Sequence, residues 1–207
     1  MGNDITCCLI EKIRNRNVAR KSVSKAKKKI VSARKMTSKK SLKKTVKKVA
    51  VKRKKKVLAI PKGYHAVTPY LIVNGGIRAI EFYKKAFGAK ATVCMKHDDG
   101  KIGHAELKIG DSYVMLGDGC PEMKAFSPEH FGGSPVSIHL YVKNVDLTVK
   151  RAVAAGAKLI MPVEDMFYGD RSGAVKDPFG HSWYIATHIE DLTKAEIRKR
   201  AIALYGK

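Results

Sequence analysis

The feature that most constrains the fold is a repeat in the last two-thirds of the chain. Gly88-Ala89-Lys90 recurs as Gly156-Ala157-Lys158, and Gly110-Asp111-Ser112-Tyr113 recurs as Gly180-His181-Ser182-Trp183. The order of elements around these landmarks repeats as well: a strand, a helix that ends at the glycine, then three strands. A chain that writes one small unit twice closes the copies around a shared cleft or stacks them. The cleft is therefore where function is expected.

Periodicity fills in the unit. His65 to Val73 alternates apolar and polar residues and reads as a strand, with Pro69 marking an edge or a bulge. Ile77 to Phe87 reads as a helix whose buried stripe is Ile77, Ile80 and Phe87, joined by Phe82 or Tyr83. Gly88 sits where a left-handed cap belongs. Strands follow at 91–97 and 102–109, joined by Asp98-Asp99-Gly100, a hairpin signal, and another runs over 112–117. Residues 118–135 carry three prolines and two adjacent glycines and read as a linker. The second copy begins with a strand at 136–142. Asp146 is its expected helix N-cap and Gly156 its stop. Strands near 158–163, 173–176 and 182–187 follow, with a long loop at 164–172. Thr193-Lys194-Ala195-Glu196 is a capping box that opens a terminal helix. The fold class is α+β: two tandem βαβββ modules forming a half-open barrel cleft.

Charge divides the chain differently. Residues 1–60 hold 22 of the 42 Lys and Arg but only two of the 18 acids, Asp4 and Glu11, and no aromatic residue. Such a segment cannot bury enough apolar surface to offset the entropy of ordering it, so it reads as a disordered basic tail. The expected organisation is this tail at 1–60, a domain at 64–190 and a terminal helix at 191–207. Cys7, Cys8, Cys94 and Cys120 show neither metal-ligand spacing nor a disulfide framework, which points to a reduced, cytoplasmic setting. No apolar run is long enough for a membrane span.

The motifs Thr68-Pro69-Tyr70-Leu71, Ala79-Ile80-Glu81-Phe82-Tyr83, Ala86-Phe87-Gly88-Ala89, Gly103-His104-Ala105-Glu106-Leu107, Tyr168-Gly169-Asp170-Arg171 and Asp177-Pro178-Phe179-Gly180-His181 resemble the vicinal oxygen chelate superfamily. That superfamily contains glyoxalases, extradiol dioxygenases, and fosfomycin and bleomycin resistance proteins. The look-alikes are its PhnB-like members. The resemblance covers about residues 64–190. It implies a small-molecule ligand and a homodimer that completes the cleft. It does not single out an activity, because one fold hosts many chemistries.

Strand alternation separates a helix-covered face from a cleft face. The cleft face is expected to carry Thr68, Tyr70, His104, Glu106, Ser137, His139, Tyr141 and Tyr184, with Trp183 and Ile185 on the covered side. The resemblance places metal ligands on the first and fourth strand of each copy. Here those positions are Thr68, Val114 or Met115, Ser137 and Tyr184, none of them a usual divalent-metal donor. No cofactor is therefore expected, and the preferred reading is a polar cleft that binds a small organic molecule. A relocated divalent-metal site on His104, Glu106 and His139 is the alternative, with a metal-dependent lyase, isomerase or dioxygenase as its function. Glu106 is the candidate general base. Arg171 and Tyr168, in the long loop, are candidate clamps for an anionic or carbonyl group, set against a local Asp170–Arg171 pair that would only fix the loop. Asp177-Pro178-Phe179-Gly180 reads as a turn. His65, His97, His181 and His188 read as ordinary surface or capping histidines.

For the tail, the first reading is non-specific nucleic-acid binding through Lys27, Lys28, Lys29, Lys52, Arg53, Lys54, Lys55 and Lys56, with nucleoid association. The second is a solvated tail without a dedicated partner. The third is a membrane anchor: Gly2 fits an N-myristoylation pattern and Cys7 and Cys8 are palmitoylation candidates beside a polybasic stretch.

Overall fold

The computed structural model describes residues 57–206, so the expectations for residues 1–56, including all eight basic tail residues named above, lie outside the described residues. The first module runs β1 (Tyr70–Val73), α1 (Gly76–Phe87), β2 (Lys90–Lys96), β3 (Ile102–Ile109) and β4 (Ser112–Asp118). The second runs β5 (Ser137–Tyr141), α2 (Val145–Ala154), β6 (Lys158–Asp165), β7 (Asp170–Lys176) and β8 (Ser182–His188), and a terminal helix α3 (Lys194–Tyr205) follows. Two short 3₁₀ turns, Pro121–Met123 and Pro128–Phe131, punctuate the linker. Each module forms its own mixed four-stranded sheet, ordered β1-β4-β3-β2 and β5-β8-β7-β6, in which only β1–β4 and β5–β8 are parallel. The two βαβββ units are thus built alike. Among the described residues, no helix is long and apolar enough to cross a membrane.

One face of each sheet is packed. Leu71, Val73, Ala105, Leu107, Val114 and Leu116 of the first sheet, with Val175, Trp183 and Ile185 of the second, are all buried against the helices. The modules meet through α1 and α2. The α1 aromatics reach into the second module: Phe87 lies 4.6 Å and Tyr83 5.5 Å from Trp183, centroid to centroid, and Phe82 6.1 Å from Phe179. Both modules therefore share one apolar core. Its polar pin is Asp177, 4% exposed, which accepts hydrogen bonds from Tyr83 Oη (2.7 Å), Trp183 Nε1 (3.0 Å) and the amides of Phe179 and His181 (2.9 Å each).

The caps show how local chemistry sets these boundaries. Gly76 opens α1 so close to β3 and β4 that a Cβ would lie 2.7 Å from Ile102 and 2.9 Å from Asp118. No side chain at the cap position itself serves this helix; Asp118 Oδ1 instead accepts from the amides of Gly75 and Gly76, and Oδ2 from Ile102. Gly88 ends the helix with φ +68, a conformation that only glycine adopts freely. The Thr193/Glu196 capping box is formed.

Several expectations need correction. Ile77 is 48% exposed, because the buried stripe runs through Gly76, Ala79, Ile80, Tyr83 and Phe87 and leaves Ile77 on the outer face with Glu81 and Lys84; Phe82 and Tyr83 are both buried. The N-cap of α2 is Asn144, whose Oδ1 accepts from the Leu147 amide; Asp146 already lies inside the first turn. β1 starts at Tyr70, after Pro69, so Thr68 stands outside the strand and donates to the His65 carbonyl at 3.3 Å. The long loop at 164–172 is a short turn: β6 reaches Asp165 and β7 begins at Asp170, closed by Met166 N–H to the Asp170 carbonyl at 2.7 Å. His181 is a buried histidine whose Nε2 lies 3.1 Å from the Ile72 carbonyl, a further tie between modules.

Candidate functional site

The unpacked face of the first sheet holds a connected polar set. Glu106 on β3 and Tyr70 on β1 flank Met115 of β4 in the strand register. His104 bridges them: Nδ1 is 3.3 Å from Tyr70 Oη and Nε2 is 3.4 Å from Glu106 Oε1. Tyr64, from the segment before β1, donates its hydroxyl to Glu106 Oε2 and stacks on Tyr113 of β4, with centroids 4.1 Å apart and planes 7° apart. The hydrogen bond to Glu106 is the main reason that the Tyr64 phenol is pushed up to about 12, since the carboxylate opposes a second negative charge beside it. Burial raises that of Tyr70. Ile72, Met115, Val93 and Met95 surround the set on the same face.

The corresponding face of the second sheet carries Ser137, His139 and Tyr141 on β5 and Tyr184 on β8, all exposed. The His139 and Tyr141 rings lie 4.8 Å apart. Tyr141 donates to Asp170 Oδ2 at 2.8 Å, and His188 Nδ1 lies 2.7 Å from Asp170 Oδ1, while His188 Nε2 meets Asp191 at 3.0 Å. Asp170 and then Asp191 raise the His188 pKa, because both carboxylates favour imidazolium. A raised histidine stabilises the fold fully below its unfolded pKa of about 6.5, and that contribution is lost as pH rises through the folded value. His188→Gln should therefore remove a fall in melting temperature that wild type shows as pH rises from below about 6.5 through the raised folded value. Parallel melting curves for the two proteins across that window would refute it.

Chain topology keeps the two faces apart within one chain: among the described residues, no hydrogen bond, ion pair or ring contact joins them. Arg171 does not line either face. It lies on the helix side of β7, gripped by Asp146 of α2 through two bonds of 2.8 and 2.9 Å and by Asp165 at 2.8 Å. Its partners are thus Asp146 and Asp165 rather than Asp170. Tyr168 sits in the β6–β7 turn, edge-on to Phe167. Tyr64, Tyr113, Asp170 and His188 belong to the two polar networks although the sequence reading did not group them there. Tyr113, Asp170 and His188 have the alternation that would have placed them; Tyr64 lies outside every strand and has no such signal.

A metal ion fits poorly. The four resemblance-derived positions offer two alcohols, a phenol and either Val114, buried on the packed face, or the thioether of Met115. His139 is on the other sheet from His104 and Glu106. Among the described residues, no three His, Cys, Asp or Glu side chains gather as a metal would need.

An uncharacterized Mycobacterium bovis protein is 42% identical over 136 residues, 64% of this chain and 90% of that one. Among solved structures, an Arabidopsis thaliana gene product (30% identity, TM-score 0.49) covers 59% of this chain and 98% of its own. TioX from Micromonospora sp. ML1 (27% identity, TM-score 0.48) likewise covers 59% and 98%. A family model matches residues 64–185, from Tyr64 of the first polar set to Ile185 of β8, so the chain belongs to the Glyoxalase/Bleomycin resistance protein/Dioxygenase superfamily.

Proposed function

We propose that the chain binds a small organic molecule on its unpacked sheet faces, and that two copies pair as a homodimer to close those faces into a cleft. The observation that carries this reading is the Tyr64–Glu106–His104–Tyr70 set: a few convergent polar groups on a partly apolar surface, the composition of a ligand site. The homodimer is supported by the exposure of Tyr70, Met95, Tyr141 and Tyr184, large side chains left uncovered by their own chain. Glu106, hydrogen-bonded to two neighbours, could serve a bound ligand as base or as acceptor; binding without turnover is the reading preferred here. A metal-dependent lyase, isomerase or dioxygenase is disfavoured by the donor set. The test is a thermal-shift screen of small organic compounds on the full chain, followed by titration of the hits. His104→Ala and Glu106→Gln should weaken binding about tenfold, the cost of losing one hydrogen bond to a charged group, with melting points near wild type. Unchanged affinity in both variants would overturn the assignment. Retention of about one metal ion per chain after gel filtration, lost in His139→Ala, would restore the metal-dependent alternative.

A second reading rests on the charge of residues 1–60, which suits non-specific association with nucleic acid in a cytoplasmic setting; its test is given below.

A further inference from the structure

The segment before β1 occupies the site. Tyr64 belongs to no strand, yet its ring lies flat on Tyr113 and its hydroxyl points at Glu106. What positions it is slight. Gly63 turns at φ +88, Tyr64 N–H reaches the Pro61 carbonyl at 3.1 Å, and His65 touches Ser112 Oγ at 3.5 Å. The flanking apolar residues gain nothing from the arrangement: Leu58, Ile60 and Val67 are 67%, 47% and 84% exposed. A segment held by one ring stack and a few polar contacts opens at small cost. Its ring nevertheless satisfies two demands of the surface beneath it, a flat apolar partner for Tyr113 and a neutral donor for the Glu106 carboxylate.

We infer that Tyr64 stands in for the ligand: the first sheet takes a planar aromatic molecule bearing a hydroxyl or N–H donor, which displaces Tyr64 from Tyr113 and Glu106. This deepens the small-molecule reading above and rests on it. The donor requirement follows from Glu106, which accepts from a phenol or an indole N–H but repels a carboxylate. The stacking requirement follows from the 7° angle between the two rings. The covering segment also sets the apparent affinity, because a site competent only when Tyr64 is away binds more weakly by that fraction.

The test titrates 2-naphthol, read by its fluorescence, into the full chain, with naphthalene and 2-naphthoate as controls. Tyr64→Ala should bind 2-naphthol at least about tenfold more tightly than wild type. Tyr64→Phe, which keeps the stack but not the hydroxyl, should fall between them, and it carries the test alone if Tyr64→Ala fails to fold. In the opened variant 2-naphthol should exceed naphthalene about tenfold, and Glu106→Leu should erase that preference. 2-Naphthoate should bind more weakly than either. Equal 2-naphthol affinity in wild type and both Tyr64 variants, or naphthalene binding as well as 2-naphthol, overturns the inference. If screened compounds bind in a Glu106-dependent way yet ignore Tyr64, the inference falls and the small-molecule reading stands. If nothing in the screen binds either, both fall.

Discussion

Asp177→Ala is expected to destabilise the domain by about 4–5 kcal/mol, more than any single change on the unpacked faces. The carboxylate is 4% exposed and accepts four hydrogen bonds, two from side chains and two from backbone amides. Truncation strands the Tyr83 hydroxyl, the Trp183 N–H and both amides in a region water does not reach, and each unsatisfied donor costs about 1–3 kcal/mol, partly relieved by local relaxation. Tyr83→Phe removes one partner and should cost about 1 kcal/mol. Asp177→Asn is the informative intermediate. Its amide oxygen can still serve the Phe179 and His181 amides, but its NH₂ then faces Trp183 Nε1, which can only donate. The expected order of melting points is wild type, Tyr83→Phe, Asp177→Asn, Asp177→Ala. At roughly 2–4 °C per kcal/mol for a domain of this size, the last should lie about 10 °C or more below the first. If Asp177→Ala melted within a few degrees of wild type, the four bonds would not be the pin that the geometry implies.

The second large effect concerns salt. Residues 1–60, with 22 basic residues, two acids and no aromatic ring, should hold DNA or RNA by charge alone. If about 6–10 phosphates are engaged, affinity should fall about 10³–10⁵-fold between 50 and 200 mM salt through counterion uptake. Sequence preference should be negligible, because phosphate contacts carry no base information and there are no aromatic side chains to stack on bases. Fluorescence anisotropy on duplexes of different composition measures both. A chain lacking residues 1–60 should lose the binding. Binding that survives the deletion, or that barely responds to salt, would move the contact surface into the βαβββ modules. A mass spectrum of the native N-terminus checks the rival: a myristoyl group on Gly2 would assign the segment to membranes instead.

The repeat, the strand alternation and the glycine caps were legible in the residues because each is a local rule. Ala105, Leu107 and Ile109 alternate with His104 and Glu106, and the packed and unpacked faces follow at once. Gly88 announced its own left-handed conformation. The failures have a common cause: two local solutions competed and a distant contact chose. Asn144 and Asp146 are both good cap residues. Asn144 takes the role because the chain is still extended there, at φ −149, whereas Asp146 is held by Arg171 from β7. The β6–β7 turn looked like a loop because Glu164, Asp165, Asp170 and Arg171 break the apolar alternation; the cross-strand pair of Asp165 with Arg171 supplies the register instead. Asp177 read correctly as a turn residue, but its bond to Tyr83 spans 94 positions and leaves no local trace. Tyr64 is the same case for the site: a lone tyrosine before a strand says nothing until Glu106 and Tyr113 are folded beneath it.

The Tyr83–Asp177 bond and the aromatic stack around Trp183 also decide how the domain can be divided. A chain cut at the linker would give two fragments, neither carrying a complete core. The first fragment would leave Phe82, Tyr83 and Phe87 facing water, and the second would lose the rings that cover Phe179 and Trp183 and the phenol that donates to Asp177. Repetition of the topology is therefore not repetition of a folding unit: neither half can stand in for the other, and neither is autonomous.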